Sequence, residues 1–137
     1  MIEIELVKKN NIIKAQKARE KGNETSAIGY EVENKIIDEL GKEVIKAQEV
    51  IKYKHPGNGR ILRSEIDIET KTEVIQIKTG SRLPHPRQMQ TTIYHAKQLG
   101  KKPVIYYNEL KVPKKAVEAF KNTSDYNNVK LIPRTDF

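Results

Sequence analysis

The chain has 137 residues, 36% of them hydrophobic and 32% charged, with a formal net charge of +8. That describes one charge-rich folded domain with its own core, too short for two domains and too apolar for a disordered chain. Cysteine is absent, which excludes a disulfide framework, a thiolate zinc site and a cysteine nucleophile.

The longest apolar runs are a few residues, such as Pro103 to Tyr107, so no membrane-spanning segment is expected. The N-terminus lacks the apolar core of a secretory signal, and no targeting segment is expected there. The basic balance suits nucleic acid, an anionic membrane or an acidic protein as partner.

Residues 1–22 read as a basic N-terminal extension to a single domain over 23–137. Within the extension, Ile2, Ile4 and Leu6 alternate like a short strand, whereas Leu6, Ile13 and Ala18 suit a helix face. Asn23 to Ser26 offer N-caps for a helix from about Ser26 to Leu40. Its apolar stripe is Ile28, Val32, Ile36, Ile37 and Leu40, and Gly41 stops it. Val44 to Tyr53 fits helix or strand. A strand is favoured because His55-Pro56-Gly57-Asn58-Gly59 closes it with a turn.

Ile61 to Glu69 and Glu73 to Thr79 alternate apolar and polar residues and read as a hairpin. A loop leads to a helix from Pro86 or Arg87 to Leu99, ended by Gly100. Pro103 to Tyr107 is a buried strand, Pro113 opens a helix through Phe120, and Val129 to Ile132 is a last strand. The expected fold class is α/β (α+β), a mixed central sheet flanked by helices.

If the hairpin pleats without interruption, Asp67 lies opposite Gln76, with Lys78 on the same polar face above an isoleucine floor. Asp67 is a hard oxygen ligand and the Gln76 carbonyl a weaker one, both suited to a magnesium-like ion that keeps part of its water. Such an ion activates water and neutralises charge building on a phosphate. Lys78 can orient or deprotonate the attacking water. Bare, the pattern is equally a solvated hairpin face.

SEIDIE followed by VIQIK resembles the PD-(D/E)xK nuclease superfamily, the restriction-endonuclease-like fold, over roughly residues 25–108. That family pairs an aspartate on one strand with Glu/Gln-x-Lys on the next, here Asp67 and Gln76-Ile77-Lys78. Ile66 stands where the family name has proline, and Gln76 removes one negative charge, so a single, modestly held metal is expected. The family also places a glutamate on the preceding helix. Glu33 takes that role because Ile36 and Ile37 follow it at the family's offsets, and Glu31 is the reserve. Glu65 is a second reserve, although a rim charge paired with lysine is the preferred reading for both Glu65 and Glu69.

The resemblance implies a metal-dependent endonuclease that hydrolyses phosphodiesters of DNA or tRNA with Mg, or with Zn or Mn. Its catalytic set is Glu33, Asp67, Gln76 and Lys78, with Glu33, Asp67 and Gln76 on the metal. Arg82, His85, Arg87 and Gln88, after the second strand, are candidate substrate contacts.

Lys78-Thr79-Gly80 and AKQLGKKPVIYY look like the nuclease domains of bacterial polymorphic toxins such as contact-dependent growth inhibition effectors. That likeness implies action in the cytoplasm of a target cell, delivery as the C-terminal part of a larger effector, and an acidic immunity protein as partner. A housekeeping resolvase or restriction-type DNase, and a silent nucleic-acid-binding module, are the alternatives.

Overall fold

A computed structural model describes residues 2–137. Two helices lead, α1 (Ile2–Glu20) and α2 (Glu24–Leu40), followed by a five-stranded mixed sheet with two further helices between its strands. No helix among the described residues is long and apolar enough to cross a membrane.

The basic N-terminal segment is helical, and it packs on α2. Its inner face is Ile4, Val7, Asn11 and Ala15, with Asn11 and Ala15 buried. Helical spacing carries this stripe, but not through the residues the sequence suggested: Leu6 and Ile13 are exposed. A tight link joins the helices. Gly22 takes a positive φ of 78° and Asn23 caps α2 by accepting from the Ser26 N–H, a backbone conformation that a side chain at position 22 would strain. In α2 the expected stripe faces inward, with Val32, Ile36 and Ile37 buried.

The sheet order follows the chain: β1 (Val44–Lys54), β2 (Ile61–Thr70), β3 (Glu73–Lys78), β4 (Lys102–Asn108) and β5 (Lys130–Arg134). The first three strands form an antiparallel meander. Helix α3 (Pro86–Leu99) then carries the chain to β4, and α4 (Lys114–Lys121) to β5, both paired parallel. Pro133 sits in edge strand β5, where a missing N–H is tolerated.

Two cores result. On one face Val32, Ile36 and Ile37 of α2 meet Ile68, Ile75, Val104 and Tyr106. On the other, α3, α4 and the turn before α4 bring Met89, Phe120 and Val112 onto Ile105 and Tyr107. β4 is buried on both faces, as its unbroken apolar run requires.

The β1–β2 ladder shifts register between Val44 and Lys46, and further along the alternation of both strands breaks at one rung. Ile68 belongs to the α2 core, but Ile66 packs with Val74 and Ala96 on the α3 side. Likewise Ala47 faces α2 while Glu49 meets His95 of α3. Residues two apart should share a face. Here the ladder passes from Ala47/Ile68 to Glu49/Ile66 with no rung at Gln48 and Asp67. Gln48 takes a left-handed φ of 55°, rare for a residue with a Cβ. Both residues turn toward α2.

Candidate active site

β2 and β3 pair only at Ile68/Ile75 and Glu69/Val74, then fork. This is the register the sequence predicts, since one further step sets Asp67 beside Gln76. Side chains take over the missing rungs. The Ile77 N–H donates to Asp67 Oδ2 at 2.7 Å, and Gln76 Nε2 donates to the Glu65 carbonyl at 2.8 Å.

Asp67 faces a cleft of about 340 Å³ lined by Ser26, Gly29, Tyr30 and Glu33 of α2 together with Glu65 and Thr79. Glu33 is buried. Its Oε1 accepts from Asn11 Nδ2 at 3.1 Å and Gln48 Nε2 at 2.7 Å. Thus α1 and the irregular rung of β1 both hold it in place. Glu65 stands at the exposed rim.

Three carboxylates here, Glu33, Glu65 and Asp67, form no salt bridge among the described residues. Asp67 keeps some surface toward the cleft while protein atoms crowd it elsewhere; burial, then the charge of Glu33, push its carboxyl up to about 7 against the Ile77 hydrogen bond and the nearby Lys78 charge. Burial also raises Glu33, opposed by its two amide hydrogen bonds and aided by the charge of Glu65. Carboxylates that raise one another in this way form a set that a hard divalent cation would relieve.

Gln76 does not join them. It is fully buried, and its amide donates to Thr92 Oγ1 of α3 at 3.0 Å as well as to Glu65 O. The expectation of Asp67 and Gln76 on one face is therefore corrected: the break at Asp67 turns its side chain to α2, while Gln76 keeps the regular alternation and faces α3. Lys78 pairs in register with Tyr107 and shares the face of Gln76, at the end of β3, where its charge still reaches Asp67. Glu33, Asp67 and Glu65 line the cleft, and Gln76 does not.

The remaining candidates separate. Glu31 is exposed and held by Arg19, whose hydrogen bond keeps its carboxyl below the ordinary range. His85 caps α3, its Nδ1 accepting from the Arg87 N–H at 3.2 Å. Arg82 and Arg87 are exposed, and Gln88 is half-buried with its carbonyl accepting from Thr92. None of these four lines the cleft.

Sequence reasoning passed over Asn11 and Gln48, which position Glu33. It also passed over a cluster on the other face, Glu49, Glu69 and His95. No short motif signals either group, since each is assembled from separate elements. Comparison with protein-family models, curated proteins and solved structures gives no match.

Proposed function

We propose that the chain is a metal-dependent endonuclease hydrolysing nucleic-acid phosphodiester bonds. The observation that carries this reading is the cleft itself: Glu33, Glu65 and Asp67 line one pocket and form no salt bridge among the described residues, in a chain of net charge +8. An acidic pocket within a basic protein suits a cation bridging to a polyanion.

Glu33 and Asp67, with Glu65 at the rim, would hold the divalent cation. Such an ion, when bound, supplies a water of lowered pKa and neutralises charge on the scissile phosphate. The Ile77 N–H fixes one Asp67 oxygen, and Asn11 with Gln48 fix Glu33, so the ligand oxygens are oriented before the ion arrives. Lys78 adds positive charge beside Asp67 for the phosphate. Gln76 ties the fork to α3 and sets the spacing of β2 and β3 at the cleft.

Within this reading the substrate is DNA or tRNA, and the chain acts as a toxin effector domain neutralised by an acidic immunity protein. A housekeeping DNase is the alternative of the same class. The test is cleavage of plasmid DNA and of total RNA by the purified chain with magnesium, manganese, zinc or chelator. Metal-dependent cutting that disappears in Asp67→Ala and Glu33→Gln supports the reading, and cutting by these variants equal to the parent sinks it. Toxicity on expression, relieved by a cognate partner, separates effector from housekeeping enzyme.

The engagement of Gln76 with α3 favours one further reading, a nucleic-acid-binding module without catalysis. It predicts salt-sensitive binding of nucleic acid and no cleavage with any metal.

A further inference from the structure

On the α3 side of the sheet, β1, β2 and α3 bring Glu49, Glu69 and His95 together. His95 Nε2 lies 3.3 Å from Glu49 Oε1 and 3.4 Å from Glu69 Oε1, and all three atoms fall within 4.8 Å of one another. One ring N–H can serve only one of the two oxygens. Glu49 Oε1 is in fact buried with no hydrogen-bond partner, a cost that a native structure rarely leaves unexplained.

The outer oxygens are already held. Glu69 Oε2 accepts from Lys101 Nζ at 2.6 Å, and that ammonium also donates to the Thr70 carbonyl. Glu49 Oε2 accepts from Lys46 Nζ at 3.1 Å. Each carboxylate is therefore fixed through one oxygen and presents the other to the imidazole, the arrangement by which neighbouring groups orient metal ligands.

We propose that Glu49, Glu69 and His95 form a second cation site, of the zinc class, that ties the edge strand β1 to β2 and α3. The spacing supports it. Zinc–nitrogen and zinc–oxygen bonds of about 2.0–2.2 Å, set tetrahedrally, separate neighbouring ligand atoms by about 3.3–3.5 Å. The two observed imidazole–carboxylate separations fall in that range before any adjustment. A neutral imidazole with its proton on Nδ1 offers Nε2 to the cation, Glu49 Oε1 gains the partner it lacks, and water completes the fourth position. The nitrogen donor selects zinc, cobalt or nickel over magnesium. The site is independent of the cleft, which lies across the sheet.

The test uses the full chain carrying Glu33→Gln and Asp67→Asn, which removes the two inner carboxylates of the cleft. Cobalt(II) is titrated in by absorption spectroscopy and zinc by calorimetry. The expected result is one cation per chain, a tetrahedral cobalt spectrum, and no heat from magnesium. Adding His95→Ala or Glu49→Gln should weaken zinc binding by more than about tenfold. Glu49 is at the half-exposed sheet edge, so Glu49→Gln keeps the comparison open if His95→Ala folds poorly. Absence of zinc binding, an octahedral cobalt spectrum, or equal affinity in the folded variants would overturn the proposal.

Discussion

The two faces of the sheet handle carboxylates in opposite ways. Toward α2, Asp67 and Glu33 are crowded, form no salt bridge among the described residues and are pushed above their ordinary values. Toward α3, burial would raise Glu69 as well, but the hydrogen bond and charge of Lys101, with the His95 contact, more than offset it and hold the carboxyl low. Burial raises the carboxyl on both faces, and on the α3 face the neighbouring lysine and histidine reverse the outcome. Lys101 compensates Glu69 on the α3 face, whereas no lysine holds Glu33 or Asp67 low on the α2 face, a contrast that supports the proposed cation site in the cleft.

Substitutions can break this contrast from either side. The largest effect is expected at the cleft, where Asp67→Ala or Glu33→Gln should lower metal-dependent cleavage by about 10²–10⁴-fold, read on plasmid and RNA gels. On the other face, Glu69→Ala strands the Lys101 ammonium, which is only 12% exposed. It should cost about 3–5 kcal/mol in urea unfolding.

Asp67→Asn carries a pH signature. The carboxyl titrates near 3.8 in the open chain and at about 7 in the fold. The folded protein therefore holds an extra proton between those values, and its stability falls as pH rises through that window. With chelator at pH 8, Asp67→Asn should stabilise the chain by about 1–3 kcal/mol, and at pH 4 the gain should vanish. Melting curves at the two pH values check this.

Gln76→Glu sharpens the correction at the fork. A carboxylate there cannot donate to Glu65 O and Thr92, so stability should drop by about 1–3 kcal/mol and metal affinity should not rise. Tighter metal binding by this variant would return Gln76 to the ligand set. The smallest effect belongs to surface pairs such as Lys8–Asp38. Lys8→Ala should leave the urea midpoint nearly unchanged, and any shift should disappear at high salt.

The elements were largely legible in the sequence. Asn23, Gly41, Pro86, Gly100 and Pro113 punctuate the chain at or beside the helix ends, and the hairpin register follows from Ile68 and Ile75. The face of Asp67 was not legible, because period-two reasoning assumes an unbroken pleat. Nothing in the residue type of Gln48 announces a left-handed backbone. In α1, apolar residues occupy both faces and the buried stripe includes Asn11, so hydropathy alone misplaced its inner side. Glu33 could be preferred over Glu31 because the phase of its helix is set by Ile36 and Ile37. The Glu49, Glu69 and His95 cluster joins three elements, and only tertiary structure brings it together.

The irregular rung at Gln48 and Asp67 has a consequence for how this chain can change length. Both strands carry one extra residue at the same level, so they are in step again beyond it. Deleting Gln48 alone would set Glu49 directly after Ala47 and keep each on its present face, leaving Asp67 as an ordinary one-sided bulge. Deleting Asp67 alone would leave Gln48 as the bulge in the same manner. The sheet can therefore shorten by one residue here without turning either strand over, and what such a deletion removes is the cleft: Gln48 takes with it the 2.7 Å hydrogen bond to Glu33, and Asp67 the carboxylate itself.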